Sequence, residues 1–161
     1  MGVKQDKTNV MRLLEQKKIP YERRDFEEFE STNGEEIALF LNENPSQVFK
    51  TLVTVGKSRQ YYVFVIPVNA ELDLKKAAQA CKEKSIEMIK QKELLPLTGY
   101  IHGGCSPIGM KKQFPTFVDA RAMEFEEIFF SAGKVGHQVK VSLTGLEKMI
   151  RVEYAELAED K

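Results

Sequence analysis

The sequence predicts a single α+β domain, in which a curved and mostly antiparallel mixed sheet of about seven strands is flanked by helices. Its 161 residues match the length of one ordinary domain. A hydrophobic fraction of 42% provides for a core that needs no disulfide or metal. Helical and strand patterns alternate irregularly, and most predicted loops are too short for successive βαβ crossovers, so a doubly wound parallel fold is disfavoured.

Each helix is predicted by a capping residue followed by an apolar stripe. The predicted helices begin at Thr8 or Asn9, at a capping box over residues 32–35, at Asp73 and after Ser142, and they extend to residues 19, 41, 81 and 150. Asn44-Pro45 predicts one further helical turn. Residues 90–95 predict another turn, which we expect to end before Pro96 because proline removes a backbone donor.

Strands are predicted in runs of β-branched and aromatic residues bounded by turn residues. The predicted strands are residues 21–26, 49–55, 61–66, 86–89, 116–119, 127–130 and 138–141, with an edge strand at 152–154. Residues 56–60 form a hairpin loop between the second and third strands. We expect residues 1–7 to be a flexible N-terminus or a tag remnant, residues 8–157 to form the domain, and residues 158–161 to be a frayed C-terminus.

Composition and charge exclude several classes of protein. The 24 Lys and Arg residues balance the 24 Asp and Glu residues, which argues against a protein that coats duplex nucleic acid by neutralising its phosphates. No apolar run approaches the ~20 residues that span a bilayer, and residues 1–9 lack the apolar segment of a secretory signal. The two cysteines and two histidines lack the spacing of a metal site. We therefore expect a cytoplasmic protein with free thiols, no metal, no cofactor and no membrane partner.

The first segment with unusual chemistry is residues 47–53, in which Lys50 interrupts an apolar run. Period-two alternation places Val48, Lys50 and Leu52 on one face of the predicted strand. A lysine on a mostly buried strand is costly unless its amine reaches solvent or binds an anion. Lys50 is thus either a snorkelling edge lysine or a functional group, which contacts a phosphate or carboxylate or acts as a general base of lowered pKa.

The second segment is the glycine-rich loop of residues 99–109. The adjacent Gly103 and Gly104 let the backbone approach a ligand with free N–H groups, which suit a phosphate or a developing oxyanion. The spacing fits neither a Walker loop nor the dinucleotide fingerprint, and a pair of glycines is often only a turn.

The third segment, residues 131–138, contains two glycines and follows an apolar strand. Ligands often bind at strand ends of this kind. A glycine-rich hairpin loop without a ligand explains the pattern equally well.

The sequence gives little support for catalysis by a side-chain nucleophile. His102 lies three residues before Cys105, but a Cys–His pair normally meets across the fold, so Cys105 is disfavoured as a nucleophile. Residues 22–36 contain seven carboxylates and two arginines, and such a charge run is typical of a solvated face.

Taken together, the three segments resemble the YbaK/EbsC family of aminoacyl-tRNA deacylases, which are related to the editing domain of bacterial prolyl-tRNA synthetases. The resemblance extends from residue 8 to residue 157. It is greatest to the YbaK branch, which removes cysteine mischarged onto tRNA(Pro). The matching segments are residues 44–52, 72–78, 98–100, 103–112, 115–116 with Asp119, and 131–136.

The resemblance implies roles for individual residues. Lys50 matches the family's key lysine, which is expected to contact the 3′ end of the aminoacyl-tRNA. Gly103 begins a G-x-x-x-P motif, whose loop positions the ester and supplies backbone N–H donors. These two are the expected catalytic residues. The expected substrate-binding residues, which form the walls of the pocket, are Phe26, Thr51, Gly104, Cys105, Ser106, Pro107, Ser131 and Gly133.

The mechanism that the resemblance implies needs no nucleophile from the protein. The cysteine thiolate of the substrate attacks its own ester carbonyl and expels the 3′-terminal ribose oxygen of the tRNA. Such an intramolecular reaction depends on positioning and on oxyanion donors. Some relatives carry an acidic residue shortly after the position of Gly136, whereas this chain has His137-Gln138, so no acid–base role is assigned there.

Charge is unevenly distributed along the chain. Residues 44–76 contain five basic and two acidic residues, and residues 131–151 contain four and one. The net charge is −5 over residues 22–36 and −3 over residues 152–161. We expect the basic stretches, one with Lys50 and the other with Lys134, to flank one pocket that binds the 3′ end of an aminoacyl-tRNA.

Prolyl-tRNA synthetase is a further candidate partner, and the oligomeric state is left open. Two alternatives to Cys-tRNA(Pro) deacylation also stay open. One is a deacylase of a different mischarged tRNA, such as Ala-tRNA(Pro), whose substrate has no thiol and needs a water. The other is a non-catalytic module that binds tRNA or the synthetase.

Overall fold

The computed structural model describes residues 6–161, and within them ten strands form three sheets. The largest sheet contains, in spatial order, β5 (Ile86–Met88), β2 (Phe49–Gly56), β3 (Tyr61–Pro67), β6 (Thr116–Asp119) and β9 (Val152–Ala155). A second, antiparallel sheet contains β1 (Glu22–Asp25), β8 (His137–Ser142) and β7 (Glu127–Ser131). The third pairs β4 (Ala70–Leu72) with β10 (Ala158–Asp160).

The predicted α+β class with a mixed and mostly antiparallel arrangement is confirmed. Only the pairs β3–β6 and β6–β9 of these described strands are parallel. The strand count was underestimated, because β4 and β10 have three residues each and lack the β-branched runs that predict a strand. The strands are also divided among three sheets rather than collected in one.

Five α-helices lie within the described chain, and most of their predicted starts are correct. They are α1 (Asn9–Gln16), α2 (Gly34–Phe40), α3 (Leu74–Cys81), α4 (Gln91–Thr98) and α5 (Leu143–Met149). The side chains of Thr8, Asp73 and Ser142 accept hydrogen bonds from backbone N–H groups of the first turns, as N-caps do. Helix α2 begins one residue later than the predicted box, because Asn33 is its cap. Pro45–Gln47 forms the predicted extra turn.

Helix α4 continues beyond Pro96, contrary to the prediction that it ends before this residue. The Thr98 hydroxyl donates to the Leu94 carbonyl at 2.7 Å, and Gly99 N–H donates to the Leu95 carbonyl at 2.9 Å. These two bonds close the last turn although proline has no N–H of its own. Gly99 then ends the helix with a φ of +86°.

The sequence predicted that residues 158–161 are frayed, but the structure holds them in place. Ala158–Asp160 pairs with β4, and Asp119 Oδ2 accepts a hydrogen bond from Ala158 N–H at 2.7 Å. Lys161 forms an ion pair with Glu35. Most of the predicted flexible N-terminus, residues 1–5, lies outside the described residues.

The five-stranded sheet has a core on each face. One face packs against α1, α5 and the β1-β8-β7 sheet, around Leu14, Val65 and Phe130. The other packs against α3 and the β4-β10 pair, around Phe64 and Leu157. No helix in residues 6–161 is long and apolar enough to cross a membrane.

Candidate functional site

The predicted site residues meet around a cavity where the five-stranded sheet adjoins the β1-β8-β7 sheet. The two sheets touch at a bridge between Val48 and Phe129. The space of the cavity is about 820 Å³ when the part open to solvent is included. Six of the ten predicted site residues line it, namely Phe26, Lys50, Thr51, Gly103, Cys105 and Ser131.

Lys50 lies near the start of β2, opposite Ile66 of β3, and its side chain lines the cavity. Burial lowers the pKa of its amine, and the nearby Lys161 acts in the same direction. Within residues 6–161, Lys50 forms no ion pair. The carboxylates of Glu35 and Glu71 lie near enough to oppose this shift without pairing with the amine. A partly buried cation that lacks a direct ion pair favours binding of an anion over simple snorkelling.

Glycine is required at position 103 by both conformation and space. Its φ is +87°, and a Cβ there would lie 2.7 Å from Thr32 Cγ2. A Cβ at Gly104 would lie 3.2 Å from the backbone nitrogen of Val135. The second glycine-rich segment therefore packs directly on the backbone of the third, and the fold brings the two together.

The glycine-rich loop offers two backbone N–H groups without a partner. Gly104 N–H is used within the loop, because it donates to the Ile101 carbonyl at 2.9 Å. The N–H groups of Gly103 and Cys105 make no hydrogen bond to any described residue. Both residues line the cavity, so their N–H groups are the candidate oxyanion donors.

Cys105 has the properties of a wall residue. Burial raises the pKa of its thiol to about 12, so the thiolate that a nucleophile needs is absent at neutral pH. His102 also lines the cavity, but no hydrogen bond between the two side chains is found in the described part of the chain. Cys105 lines the cavity, and its contact with a substrate stays a prediction.

Four predicted substrate-binding residues do not reach the cavity surface. Ser106 and Pro107 are buried in the loop, and Ser106 Oγ accepts a hydrogen bond from Ile108 N–H. Gly104 is buried against the third segment. Gly133 faces Tyr100 rather than the cavity, since a Cβ there would lie 3.0 Å from Tyr100 Cε1. Their positions suit a role in shaping the two loops. The sequence could not reveal this, because a pattern of glycine and proline does not distinguish a ligand contact from a packing contact.

The three remaining predicted substrate-binding residues, besides Cys105, line the cavity and differ in how their polar groups are paired. Ser131 Oγ accepts a hydrogen bond from Gly133 N–H at 3.0 Å and thereby braces the third segment. Phe26 is buried, and its N–H donates to the Gly136 carbonyl at 2.8 Å. Thr51 Oγ1 differs from both, because it is buried without a hydrogen-bond partner.

His137 is a lining residue to which the sequence assigned no role. It is 5% exposed, and its ring lies between two carboxylates: Nδ1 is 2.7 Å from Asp25 Oδ1, and Nε2 is 2.7 Å from Glu27 Oε1. Burial raises the pKa of Asp25, but hydrogen bonds from Arg23 and His137 outweigh this effect and the pKa is lowered. His137 therefore fastens the 25–27 segment to the cavity wall.

Gln138 and Glu43 form a second polar group that sequence reasoning missed. Gln138 lines the cavity and is 4% exposed, and its Oε1 has no hydrogen-bond partner. Burial raises the pKa of Glu43 to about 7, and a hydrogen bond from the Gln138 side chain only partly offsets this effect. Both Glu43 oxygens are buried, and their nearest cation contact is Arg24 Nε at 3.7 Å. No local sequence signal distinguishes Glu43 from its many exposed acidic neighbours.

Both basic stretches contribute residues to the cavity lining, but of the two lysines that were expected there only Lys50 lines it. The 131–151 stretch contributes Ser131, His137 and Gln138 to the lining, whereas Lys134 is exposed and does not line it. The second cation near Lys50 is instead Lys161, which belongs to the acidic C-terminal stretch. Pairing of β10 with β4 brings this residue to the site.

Comparison with known proteins identifies the family of this chain. Residues 30–149 match the family model of the aminoacyl-tRNA editing domain. The chain belongs to this family. Over 154 residues it is 46% identical to EbsC of Enterococcus faecalis, a candidate Cys-tRNA(Pro)/Cys-tRNA(Cys) deacylase, and the match covers 95% of this chain and 94% of EbsC. The family and the aminoacyl-tRNA deacylase class predicted from the sequence are thereby confirmed.

Solved structures support the fold. A candidate trans-editing enzyme for prolyl-tRNA synthetase superposes with a TM-score of 0.76 at 24% identity, covering 86% of this chain and 87% of that one. The hypothetical protein APE2540 superposes with a TM-score of 0.84 at 19% identity, covering 93% and 99%. At these identities the likeness concerns the fold.

Proposed function

We propose that this protein is a trans-editing hydrolase that deacylates mischarged Cys-tRNA(Pro), and also Cys-tRNA(Cys). The observation that carries the proposal is the content of the cavity. Among the described residues, it combines a lysine that forms no ion pair and two unpaired backbone N–H groups with a cysteine whose thiol has a pKa of about 12. This set suits binding and polarising an ester better than attacking it.

In the proposed mechanism the nucleophile belongs to the substrate. The thiol of the cysteinyl group loses its proton, and its sulfur attacks the ester carbonyl carbon. The bond from that carbon to the 3′-terminal ribose oxygen breaks, and the ribose oxygen takes up a proton. Water then opens the cyclic thioester to release cysteine.

Residues of the cavity have complementary parts in this mechanism. Lys50 contacts a phosphate at the 3′ end of the tRNA, since its amine is partly buried and forms no ion pair with any described residue. The N–H groups of Gly103 and Cys105 stabilise the negative charge that develops on the carbonyl oxygen. Holding thiol and carbonyl in one small site supplies the effective molarity of an intramolecular reaction.

A deacylation panel tests the proposal. Purified protein is incubated with Cys-tRNA(Pro), Ala-tRNA(Pro), Pro-tRNA(Pro) and Cys-tRNA(Cys), and the remaining aminoacyl-tRNA is measured over time. We expect rapid release of cysteine from both cysteinyl substrates and slow release from the others. Preferential release of alanine would instead support a water-dependent deacylase, and binding of Cys-tRNA(Pro) without turnover would support a non-catalytic module.

The same panel with added prolyl-tRNA synthetase tests the proposed partner. We expect the protein to lie in the cytoplasm and to associate with the synthetase. This association should raise the deacylation rate of Cys-tRNA(Pro) without changing the rate of Cys-tRNA(Cys). Release of amino acid from Pro-tRNA(Pro) alone would contradict an editing function, because proline is the correct amino acid for that tRNA.

A further inference from the structure

The ring of His137 contacts one carboxylate at each of its two nitrogens. Nδ1 lies 2.7 Å from Asp25 Oδ1, and Nε2 lies 2.7 Å from Glu27 Oε1. Ionised carboxylates only accept hydrogen bonds, and only the doubly protonated imidazolium has two N–H groups to donate. Both contacts are therefore hydrogen bonds only while the ring is cationic. We call this pair of bonds the histidine clamp.

The two carboxylates are ionised at neutral pH. Burial raises the pKa of Asp25, but hydrogen bonds from Arg23 and His137 outweigh this effect and the pKa is lowered. The side chain of Glu27 is 64% exposed, and exposed carboxyl groups are ionised at neutral pH. Neither carboxyl group can therefore supply the proton in place of the ring.

The charges around the ring favour the imidazolium. Strand β1 contributes Asp25 and also Arg23, whose Nη2 lies 3.1 Å from Asp25 Oδ1, and the turn after β1 contributes Glu27. With a cationic ring these four groups balance two positive against two negative charges. The other titratable groups on neighbouring elements are Lys50 of β2, His102 of the glycine-rich loop and Lys134 of the turn before β8.

The histidine clamp fixes both neighbours of a residue in the cavity wall. Phe26 lies between Asp25 and Glu27, is 4% exposed and lines the cavity. Its N–H donates to the Gly136 carbonyl at 2.8 Å, and a Cβ at Gly136 would lie 3.3 Å from Glu27 Cα. Three consecutive residues are thereby held against the start of β8.

We propose that His137 is a positioning residue for substrate binding, which holds Phe26 in the cavity wall through the histidine clamp. This inference rests on the proposed function for the identity of the bound ester and goes beyond it by assigning a pH-dependent role to a side chain that takes no part in the reaction. Phe26 is the group through which His137 acts.

The clamp opens on one side when the ring loses a proton. The neutral ring has a single N–H, which stays on Asp25, because that carboxylate is the less exposed of the two and is also held by Arg23. Glu27 is then released to water, and the turn next to Phe26 loosens. We therefore expect substrate affinity to fall as the pH rises.

NMR of the ring N–H protons tests the clamp in the free protein. His102 is the second of two histidines in the chain and is exposed, so it serves as an internal control. Buried and hydrogen-bonded protons exchange slowly with water, so at pH 6 we expect two ring N–H resonances from His137 and none from His102. Raising the pH to 9 should remove one of the two and shift the ring signals of Phe26. A single His137 resonance at pH 6, or two that persist at pH 9, would overturn the inference.

Binding of a stable analogue tests the effect on the site. The probe is 3′-(N-acetylalanyl)amino-3′-deoxyadenosine, in which an amide replaces the ester and no group titrates between pH 6 and pH 9. It also lacks the phosphate that Lys50 is proposed to contact, which keeps the titration of Lys50 out of the comparison. Calorimetry gives its dissociation constant at both pH values. We expect wild type to bind about 10-fold more weakly at pH 9, in the range for losing a hydrogen bond to a charged group.

Glu27→Gln is the variant that isolates the clamp. The new amide oxygen accepts from the imidazolium, and the new amide N–H donates to the neutral ring, so the clamp stays closed in both protonation states. We expect this variant to bind the probe like wild type at pH 6 and to lose most of the pH dependence. Glu28→Gln, at the adjacent exposed position, is the matched control and should keep the pH dependence of wild type.

Three binding results would overturn the role of His137: equal affinity of wild type at both pH values, wild-type pH dependence in Glu27→Gln, or no binding of the probe at either pH. A failed deacylation panel would instead reject the proposed function. The NMR signature and the pH dependence of binding would remain measurable in that case, so the two failures are distinguishable.

Discussion

The two walls of the cavity are built on opposite principles. On the glycine-rich wall the candidate functional groups are backbone N–H groups, and a Cβ at Gly103 or Gly104 would lie 2.7 Å from Thr32 Cγ2 or 3.2 Å from the Val135 nitrogen. Along β2 and β8 polar side chains line the cavity instead: Lys50 forms no ion pair with a described residue, and Thr51, its neighbour on β2, projects from the opposite face of the strand with a buried hydroxyl that lacks a hydrogen bond. Under the proposed function, the difference assigns the first wall to shaping the site around the reacting carbonyl and the second to charged and polar contacts with the ends of the substrate.

The largest effect is expected on the glycine-rich wall. Gly103→Ala places a Cβ 2.7 Å from Thr32 Cγ2 at a φ of +87°, so the loop must shift. A shift of about 1 Å at a reacting centre lowers the rate by on the order of 100-fold, which a Cys-tRNA(Pro) deacylation assay would detect.

Gly99→Ala is the control for backbone strain. Gly99 has nearly the same φ, +86°, but its Cβ would meet only the flexible Lys111 side chain, whose Cγ would be nearest at 3.4 Å, and Gly99 does not line the cavity. We expect Gly99→Ala to lower the melting temperature and keep the rate. An equal loss of rate in both variants would show that the glycine-rich wall contributes only stability.

A smaller but still large effect is expected for Lys50 on the other wall. Lys50→Met should reduce kcat/KM by about 10- to 100-fold, the range for losing a hydrogen bond to a charged group. Because burial lowers the pKa of Lys50, the folded state disfavours the cation at pH 7, and the variant should melt at a higher temperature than wild type. Lys57→Met, in the exposed hairpin loop, is the control that should change neither quantity. Loss of stability together with unchanged kinetics in Lys50→Met would remove Lys50 from the site.

Glu43 should affect stability in a pH-dependent way. Its pKa is raised from 4.5 to about 7 by burial, so the folded state favours the neutral acid. The resulting penalty is absent below pH 4.5, grows as the pH rises to 7 and is constant above it. Glu43→Gln should therefore raise the free energy of unfolding by up to about 3 kcal/mol at pH 8 and by nearly nothing at pH 4. Urea unfolding at both pH values measures this free-energy difference, with Glu153→Gln at an exposed position as the control. An equal gain in the free energy of unfolding at both pH values would contradict the raised pKa of Glu43.

The smallest effect is expected for Cys105, although it lies on the glycine-rich wall. Cys105→Ala keeps the backbone N–H and removes a thiol with a pKa of about 12, so the deacylation rate should stay within about threefold of wild type because no bond forms to this sulfur. Iodoacetamide at pH 8 should label Cys105 slowly in the folded protein. A loss of rate comparable to that of Gly103→Ala would restore Cys105 as a nucleophile.

Much of the fold could be predicted because its signals are local. The hairpin β2–β3, the caps Thr8 and Asp73, and the strand β6 follow from alternation, capping chemistry and β-branched runs. Strand β10 could not be predicted, since Ala158–Asp160 has no intrinsic preference for a strand and is held by pairing with β4. The same distinction applies to the site: Lys50 and Gly103 stand out locally, whereas Glu43 does not.

The sequence by itself determined the α+β class, the family resemblance and three candidate segments for the site, because each depends on residue type and spacing within a short stretch. Only the tertiary structure decided which members of those segments reach the cavity. Gly103 lines it while Gly133 faces Tyr100, and Lys161 rather than Lys134 lies near Lys50. Partners, burial and unpaired atoms arise when distant segments pack together. The missing hydrogen bonds of Thr51 and Gln138 are therefore properties of the folded molecule alone.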